Sequence, residues 1–268
     1  MSKKKQQTIS GHPVASRNFT KRVLIGIPMT GLLRAEWHLA YMGMVVPCNW
    51  SQSTFAHVFN PYSPLRFLVA DARNLVVQKA VLDGFEWVIF IDHDVVLPNN
   101  VMIKFNERMI KEDIPITGGL YFTKSVPAEP LVYRGRGNGY FNKWKLGEKV
   151  WVDGMGLGCH LIHVPLLKTI YEDSETYSLQ PGVTVRRVFE TPSRIEIDPD
   201  SGGIINGRGT EDLPFYSRLM EGGYLKKAGW GEFQKKKFPY LCDTSIFCHH
   251  IDNNGIRYPS RGEEREFK

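Results

Sequence analysis

The stretch Phe85-Glu86-Trp87-Val88-Ile89-Phe90-Ile91-Asp92-His93-Asp94 decides the fold. Residues 85–91 form an apolar run of the kind a central strand needs when both of its faces are covered. The run stops on two carboxylates two residues apart. Upstream, Leu65, Leu68, Val69, Ala72, Leu75, Val76 and Val81 recur at three-to-four spacing, a helix opened by Pro64 and stopped by Asp83-Gly84. Downstream, Pro98 starts a helix that reaches about Lys111, and residues 115–118 return as a short strand. Towards the amino terminus, residues 22–27 read as a strand closed by Pro28, residues 34–44 as a helix, and residues 54–59 as a second strand. Strand and helix in alternation predict an α/β fold built on a mostly parallel central sheet.

The second half has a different texture. Residues 131–133, 144–152, 160–163, 188–190 and 194–197 read as short strands between Gly and Pro, with one helix over 212–221 and a further strand over 240–247. This predicts a mixed β half. The expected organisation is a basic tail over 1–20, one domain over 21–252, and a charged tail or lid over 253–268.

Composition sets the outer limits. The 268 residues carry 34 Lys and Arg against 28 Asp and Glu, a formal charge of +6, with 15 Phe, 11 Tyr and 6 Trp. The aromatic content excludes a disordered chain, and the charge favours anionic partners without choosing among them. Four cysteines in a chain this long do not make a disulfide framework and read as reduced thiols of a cytoplasmic protein, in a host cytoplasm if the chain is viral. No stretch approaches the roughly 20 apolar residues that span a bilayer.

In open α/β sheets ligands bind outside the carboxyl ends of the strands, which is where Asp92 and Asp94 fall. Two hard carboxylates there suit Mg²⁺ or Mn²⁺, ions that leave positions open for water and a substrate diphosphate. A second acidic pair, Glu211-Asp212, opens the helix over 212–221 with Thr210 as the expected N-cap; the macrodipole favours acids there, and one of them can also accept a proton from an attacking hydroxyl. Arg73 offers positive charge to the site or an ion pair to Asp71 or Asp92. The run Asp153-Gly154-Met155-Gly156-Leu157-Gly158 sits between two strands, so it is not a dinucleotide fingerprint. Trp144, Trp151, Trp230 and Tyr140 read as core or as a stacking surface.

The order of VLIGIP (23–28), Asp71-Ala72-Arg73-Asn74, the D-x-D at 92–94 and Gly-Thr-Glu-Asp (209–212) resembles the GT-A glycosyltransferases, in particular the family-2-like branch, over residues 21–251. The resemblance implies a hexosyltransferase-type enzyme that takes a UDP- or GDP-linked sugar and passes it to a hydroxyl. The acceptor class stays open among glycan, protein, lipid and modified DNA. It implies Mn²⁺ or Mg²⁺ held by Asp92, Asp94 and a late histidine, His250 before His249. It implies Asp212 as the base of an inverting displacement with Glu211 beside it. Pro28, Arg73, Asp92, Asp153 and Gly156 are the implied nucleotide and donor contacts. Two other readings compete. FIDHDVV also suits a haloacid-dehalogenase-like phosphatase with Asp92 as nucleophile, although some seventy residues of α/β structure precede the motif here. The other is a non-catalytic nucleotide- or glycan-binding module, against which the D-x-D, the Glu-Asp pair and the histidine in one chain argue. A zinc site from Cys242, Cys248, His249 and His250 lacks the usual C-x₂₋₄-C spacing.

Overall fold

A computed structural model of the chain describes residues 23–135, 139–197, 204–208 and 210–267. The expected tail over 1–20 lies outside them. The first half contains β1 (Val23–Gly26), α1 (Ala35–Met42), α2 (Gln52–Phe59), α3 (Val69–Leu82), β2 (Trp87–Ile91), β3 (Val95–Val96), α4 (Val101–Lys111) and β4 (Ile116–Leu120). Next come β5 (Val132–Tyr133), β6 (Lys149–Val152), β7 (Gly154–Met155), β8 (Cys159–His163), α5 (Val164–Asp173), β9 (Thr176–Gln180) and β10 (Val183–Arg186). The chain continues through β11 (Ser193–Ile197), β12 (Ile204–Arg208), α6 (Asp212–Glu221), α7 (Tyr224–Lys227), α8 (Gly231–Gln234), β13 (Tyr240–Phe247), β14 (His249–Ile251) and β15 (Arg257–Tyr258).

A six-stranded sheet in the order β1-β2-β8-β4-β13-β6 organises the molecule. It is mixed, which corrects the mostly parallel sheet expected: β1/β2 and β4/β13 pair in parallel, while β2/β8, β8/β4 and β13/β6 pair antiparallel. An apolar run reports burial on both faces and says nothing of direction, so the reversed β8 between β2 and β4 left no mark in it. The burial itself is as expected. All five residues of β2 are fully buried, with Val88 and Phe90 in one apolar cluster and Trp87, Ile89 and Ile91 in the other. By these pairings β1, β2, β4 and β13 point the same way, so their carboxyl ends share one edge of the sheet.

Four local expectations are corrected. Residues 52–59 are helix, not strand: Ser51 Oγ accepts from the Thr54 amide at 3.2 Å, and Thr54 and Val58, four apart, turn inward. Their Thr, Phe and Val content suggests a strand, but the N-cap and the spacing prevail. The helix expected from Pro64 begins at Val69, because residues 62–66 are held against the end of β1: Tyr62 donates to Ile25 O (2.9 Å), Ile27 to Tyr62 O (3.0 Å) and Arg66 to Met29 O (2.9 Å). Residues 188–190 are not a strand. The buried Asn74 side chain takes the place of a neighbouring strand, accepting from the Val188 and Phe189 amides (3.0 and 2.8 Å) and donating to Phe189 O (2.9 Å). Helix α5 was not expected, although its buried Val164, Leu166, Leu167 and Ile170 carry helical spacing behind Pro165.

Residues 253–267, expected as a tail or lid, pack on the body. Glu263 accepts from the Ala128 amide (3.0 Å), Glu264 meets His249 (2.5 Å), and the Phe267 ring lies against Phe122 and Trp144. All four cysteines are free thiols, three of them buried. Among the described residues no helix is long and apolar enough to cross a membrane.

Candidate active site

The shared carboxyl edge gathers several of the candidate side chains. Pro28 follows β1, the D-x-D follows β2, and His250 follows β13. The turn at 92–95 is closed by one internal hydrogen bond and clamped from outside by three more. Asp92 N donates to Gly158 O (2.9 Å), Trp37 Nε1 to Asp92 O (2.9 Å), Val95 N to Asp92 O (3.1 Å) and Ile251 N to Asp94 O (2.8 Å). Strands β3 and β14 pair antiparallel with His250 opposite Val95, and this pairing sets the imidazole beside Asp94. His250 Nε2 lies 3.4 Å from Asp94 Oδ2.

Arg73, in α3, is the electrostatic centre. Its side chain is 1% exposed. Nη2 donates to both Asp92 oxygens (2.9 and 3.0 Å), Nε to Glu211 Oε1 (2.9 Å) and Nη1 to Leu157 O (3.4 Å). A planar, permanently charged fork suits this bridging of two carboxylates. Burial acts against the charged form of Arg73, but Asp92 and Glu211 outweigh it and keep the guanidinium ionised. Of the two ion-pair partners expected for Arg73, Asp92 is the one engaged, and Asp71 instead accepts from Tyr177 Oη at 2.5 Å.

Asp212 behaves differently from its neighbour. Glu211 occupies the N-cap position of α6 with its carboxylate turned to Arg73, and Thr210, the expected cap, is exposed. Asp212 begins the helix and takes a hydrogen bond from the Leu157 backbone. Burial, together with the charge of Glu211, raises its pKa to about 8 against the pull of Arg73. The surroundings of Asp94 have the opposite effect: burial is outweighed by His250 and Lys124, and the carboxyl is held well below the ordinary value.

Arg73, Asp92, Asp94, Gly156, Glu211, Asp212 and His250 all line one cavity of about 300 Å³. Pro28 lines an adjoining cavity of about 220 Å³ with Met29, Phe67 and the same two aspartates. Both compartments therefore meet at the D-x-D. Gly156 and Gly158 lie under the first: a Cβ on Gly156 would run into the Tyr121 hydroxyl, and one on Gly158 would stand 3.0 Å from Asp92 Oδ2. Asp153 does not line either cavity; one of its oxygens accepts from the Gly135 amide (2.8 Å). His249 is turned to Glu264. Trp144, Trp151 and Trp230 pack on the apolar core.

Sequence reasoning missed Tyr121 and Lys124. Tyr121 Oη accepts from the Gly158 amide (2.9 Å), and its ring stands edge-on to His250 at 5.5 Å. Lys124 Nζ lies 2.5 Å from Asp94 Oδ2. The available signal was position, since both residues directly follow β4 at the edge that carries the D-x-D.

Among the described residues no three His, Cys, Asp or Glu side chains are gathered into a ready metal cluster, because Asp92 is turned to Arg73. The donors that remain nevertheless fit a divalent ion. The Phe122 carbonyl can only accept, so His250 Nδ1, 2.8 Å away, carries its proton. Nε2, the ring nitrogen that faces the Asp94 carboxylate at 3.4 Å, is then a donor to Asp94 when the ring is charged and a nitrogen ligand open to a cation when it is neutral. A backbone carbonyl that fixes the tautomer in this way is the usual outer support of a metal-bound histidine.

No protein-family model and no curated protein matches the chain. Among solved structures, A197 from STIV matches over 88% of both chains with a TM-score of 0.50 and 16% identity, a likeness of fold. A putative glucose-1-phosphate thymidylyltransferase from Bacillus anthracis, in complex with a sucrose, matches over 57% of this chain and 74% of its own at a TM-score of 0.32 and 12% identity.

Proposed function

We propose that the chain is a metal-dependent glycosyltransferase of the GT-A type, transferring a sugar with inversion from a nucleoside-diphosphate donor to a hydroxyl. One observation carries the reading: an acidic pair with a histidine, and a second acidic pair whose Asp212 has a raised pKa, line a single cavity and are joined by Arg73. Carboxyl groups of unlike proton affinity in one cavity, Asp94 lowered and Asp212 raised, are what metal-assisted acid–base chemistry needs.

Asp94 and His250 would hold the ion, with Asp92 completing the acidic side. Bound there, a divalent cation supplies Lewis-acid stabilisation of the charge left on the departing diphosphate. The chain's own residues do the rest. Asp212, kept basic by burial and by Glu211, takes the proton of the acceptor hydroxyl as its oxygen attacks the anomeric carbon. Arg73 neutralises Glu211, so the pair carries less repulsion when Asp212 ionises. Gly156 lets a sugar approach the backbone closely. The compartment lined by Pro28, Met29 and Phe67 suits the flat, partly apolar face of a nucleobase. The phosphatase reading is weaker on this geometry, since both oxygens of Asp92 accept from the Arg73 guanidinium, which lowers their nucleophilicity.

The test is release of nucleoside diphosphate from a panel of UDP- and GDP-linked sugars with Mn²⁺, for wild type and Asp94→Asn. The expected result is turnover of at least one donor and a loss of about 100-fold or more in the variant. Hydrolysis of a phosphomonoester that depends on Asp92 favours the phosphatase; nucleotide binding without turnover favours the non-catalytic module.

A further inference from the structure

Lys124 is absorbed by none of the roles above, yet its ammonium makes the shortest contact of Asp94. It belongs to the segment that follows β4, two residues beyond the Phe122 carbonyl that orients His250. The backbone of that segment is pinned. Thr123 N donates to Glu129 O (2.8 Å), Glu129 N to Thr123 Oγ1 (3.0 Å), and Ala128 N to Glu263 Oε1 (3.0 Å). The side chain is not so confined: a third of its surface is exposed, and its four-carbon stem can turn. Asp94 Oδ2 is thus contested. The oxygen that a cation would share with His250 is already paired with a positive charge, and an ammonium and a divalent ion cannot both sit against one carboxylate oxygen without strong repulsion.

We propose that Lys124 is a cation built into the site, which occupies Asp94 in the free protein and is displaced onto a phosphate oxygen when a metal-bound nucleoside diphosphate enters. This rests on the transferase reading and deepens it. Metal and nucleotide then bind together: the free protein holds Mn²⁺ poorly because Lys124 competes, and the diphosphate relieves the competition by giving the ammonium a new partner. Lys124 is a positioning and gating residue for the donor, not the base.

The test uses the full chain and its Lys124→Met and Lys124→Arg variants, and measures binding of Mn²⁺ alone and of UDP with Mn²⁺ by calorimetry and Mn²⁺ spin resonance. With the competitor removed, Lys124→Met is expected to bind Mn²⁺ alone about threefold to tenfold more tightly than wild type. It should bind UDP with Mn²⁺ about tenfold or more weakly, having lost a charge-assisted contact. Lys124→Arg, which keeps the charge, should stay near wild type for Mn²⁺ alone, and matching melting curves will show the variants to be folded. If wild type binds Mn²⁺ and Lys124→Met binds it no better, the proposal is overturned and the transferase reading stands. If neither protein takes up Mn²⁺, even with UDP, both are overturned.

Discussion

Replacing Asp212 with Asn is expected to lower kcat by about 10²–10⁴-fold, the range that a positioned general base contributes, while binding of UDP with Mn²⁺ changes little. The pH dependence gives the same result a second signature. A base must be unprotonated to act, and the pKa of Asp212 is raised to about 8, so wild-type kcat should climb with pH along a limb centred near that value. The limb should be absent in Asp212→Asn. Stability should move the other way. A carboxyl whose folded-state pKa is raised favours the fold below its unfolded pKa, and that contribution is lost as pH rises through the folded value. At pH 8 to 9 the wild type therefore carries a strained carboxylate that Asn does not, and the variant should melt at an equal or higher temperature. A variant that keeps kcat within tenfold of wild type, or keeps the limb, removes Asp212 from the role of base.

The second large effect is structural. Arg73→Met leaves Asp92 and Glu211 without the guanidinium, its side chain 1% exposed, that bridges them at 2.9–3.0 Å. Removing one partner of a buried ion pair costs about 3–5 kcal/mol, and a domain of this size loses roughly 2–4 °C per kcal/mol. A fall in melting temperature of roughly 10 °C is expected at pH 7.5. The deficit should shrink as pH falls, because a protonated Asp92 needs no counter-charge. Arg73→Lys should recover only part of the loss, since the donors of an ammonium radiate from one nitrogen and do not span Asp92, Glu211 and Leu157 O as the three guanidinium nitrogens do. Melting curves of the three proteins from pH 5 to 8 measure all of this. A loss that does not depend on pH would assign Arg73 to packing rather than charge.

Much of the site was legible because it lies at chain positions with a physical signature. The D-x-D was found from the apolar strand that it terminates. Helix α6 and strand β13 begin and end where the sequence placed them, at Asp212–Glu221 and Tyr240–Phe247. What escaped was pairing at long range. The direction of β8 is set by its neighbours β2 and β4 and leaves no local trace. Arg73 reaches Glu211 across 138 residues and Lys124 reaches Asp94 across 30, and neither contact has a spacing that could announce it. Asp153 sits in the glycine-rich run that passes under the cavity, but its carboxylate is spent on the 134–135 turn. Gly156, three residues on, reaches the cavity wall because the strip must pass under Tyr121.

The most direct measurement is a crystal structure grown with UDP and Mn²⁺, with anomalous scattering used to find the metal. The account predicts one manganese within about 2–2.3 Å of Asp94 Oδ2 and His250 Nε2, the diphosphate against it, and the uracil in the compartment lined by Pro28 and Phe67. A nucleotide bound elsewhere, or a manganese peak away from Asp94 and His250, would contradict it.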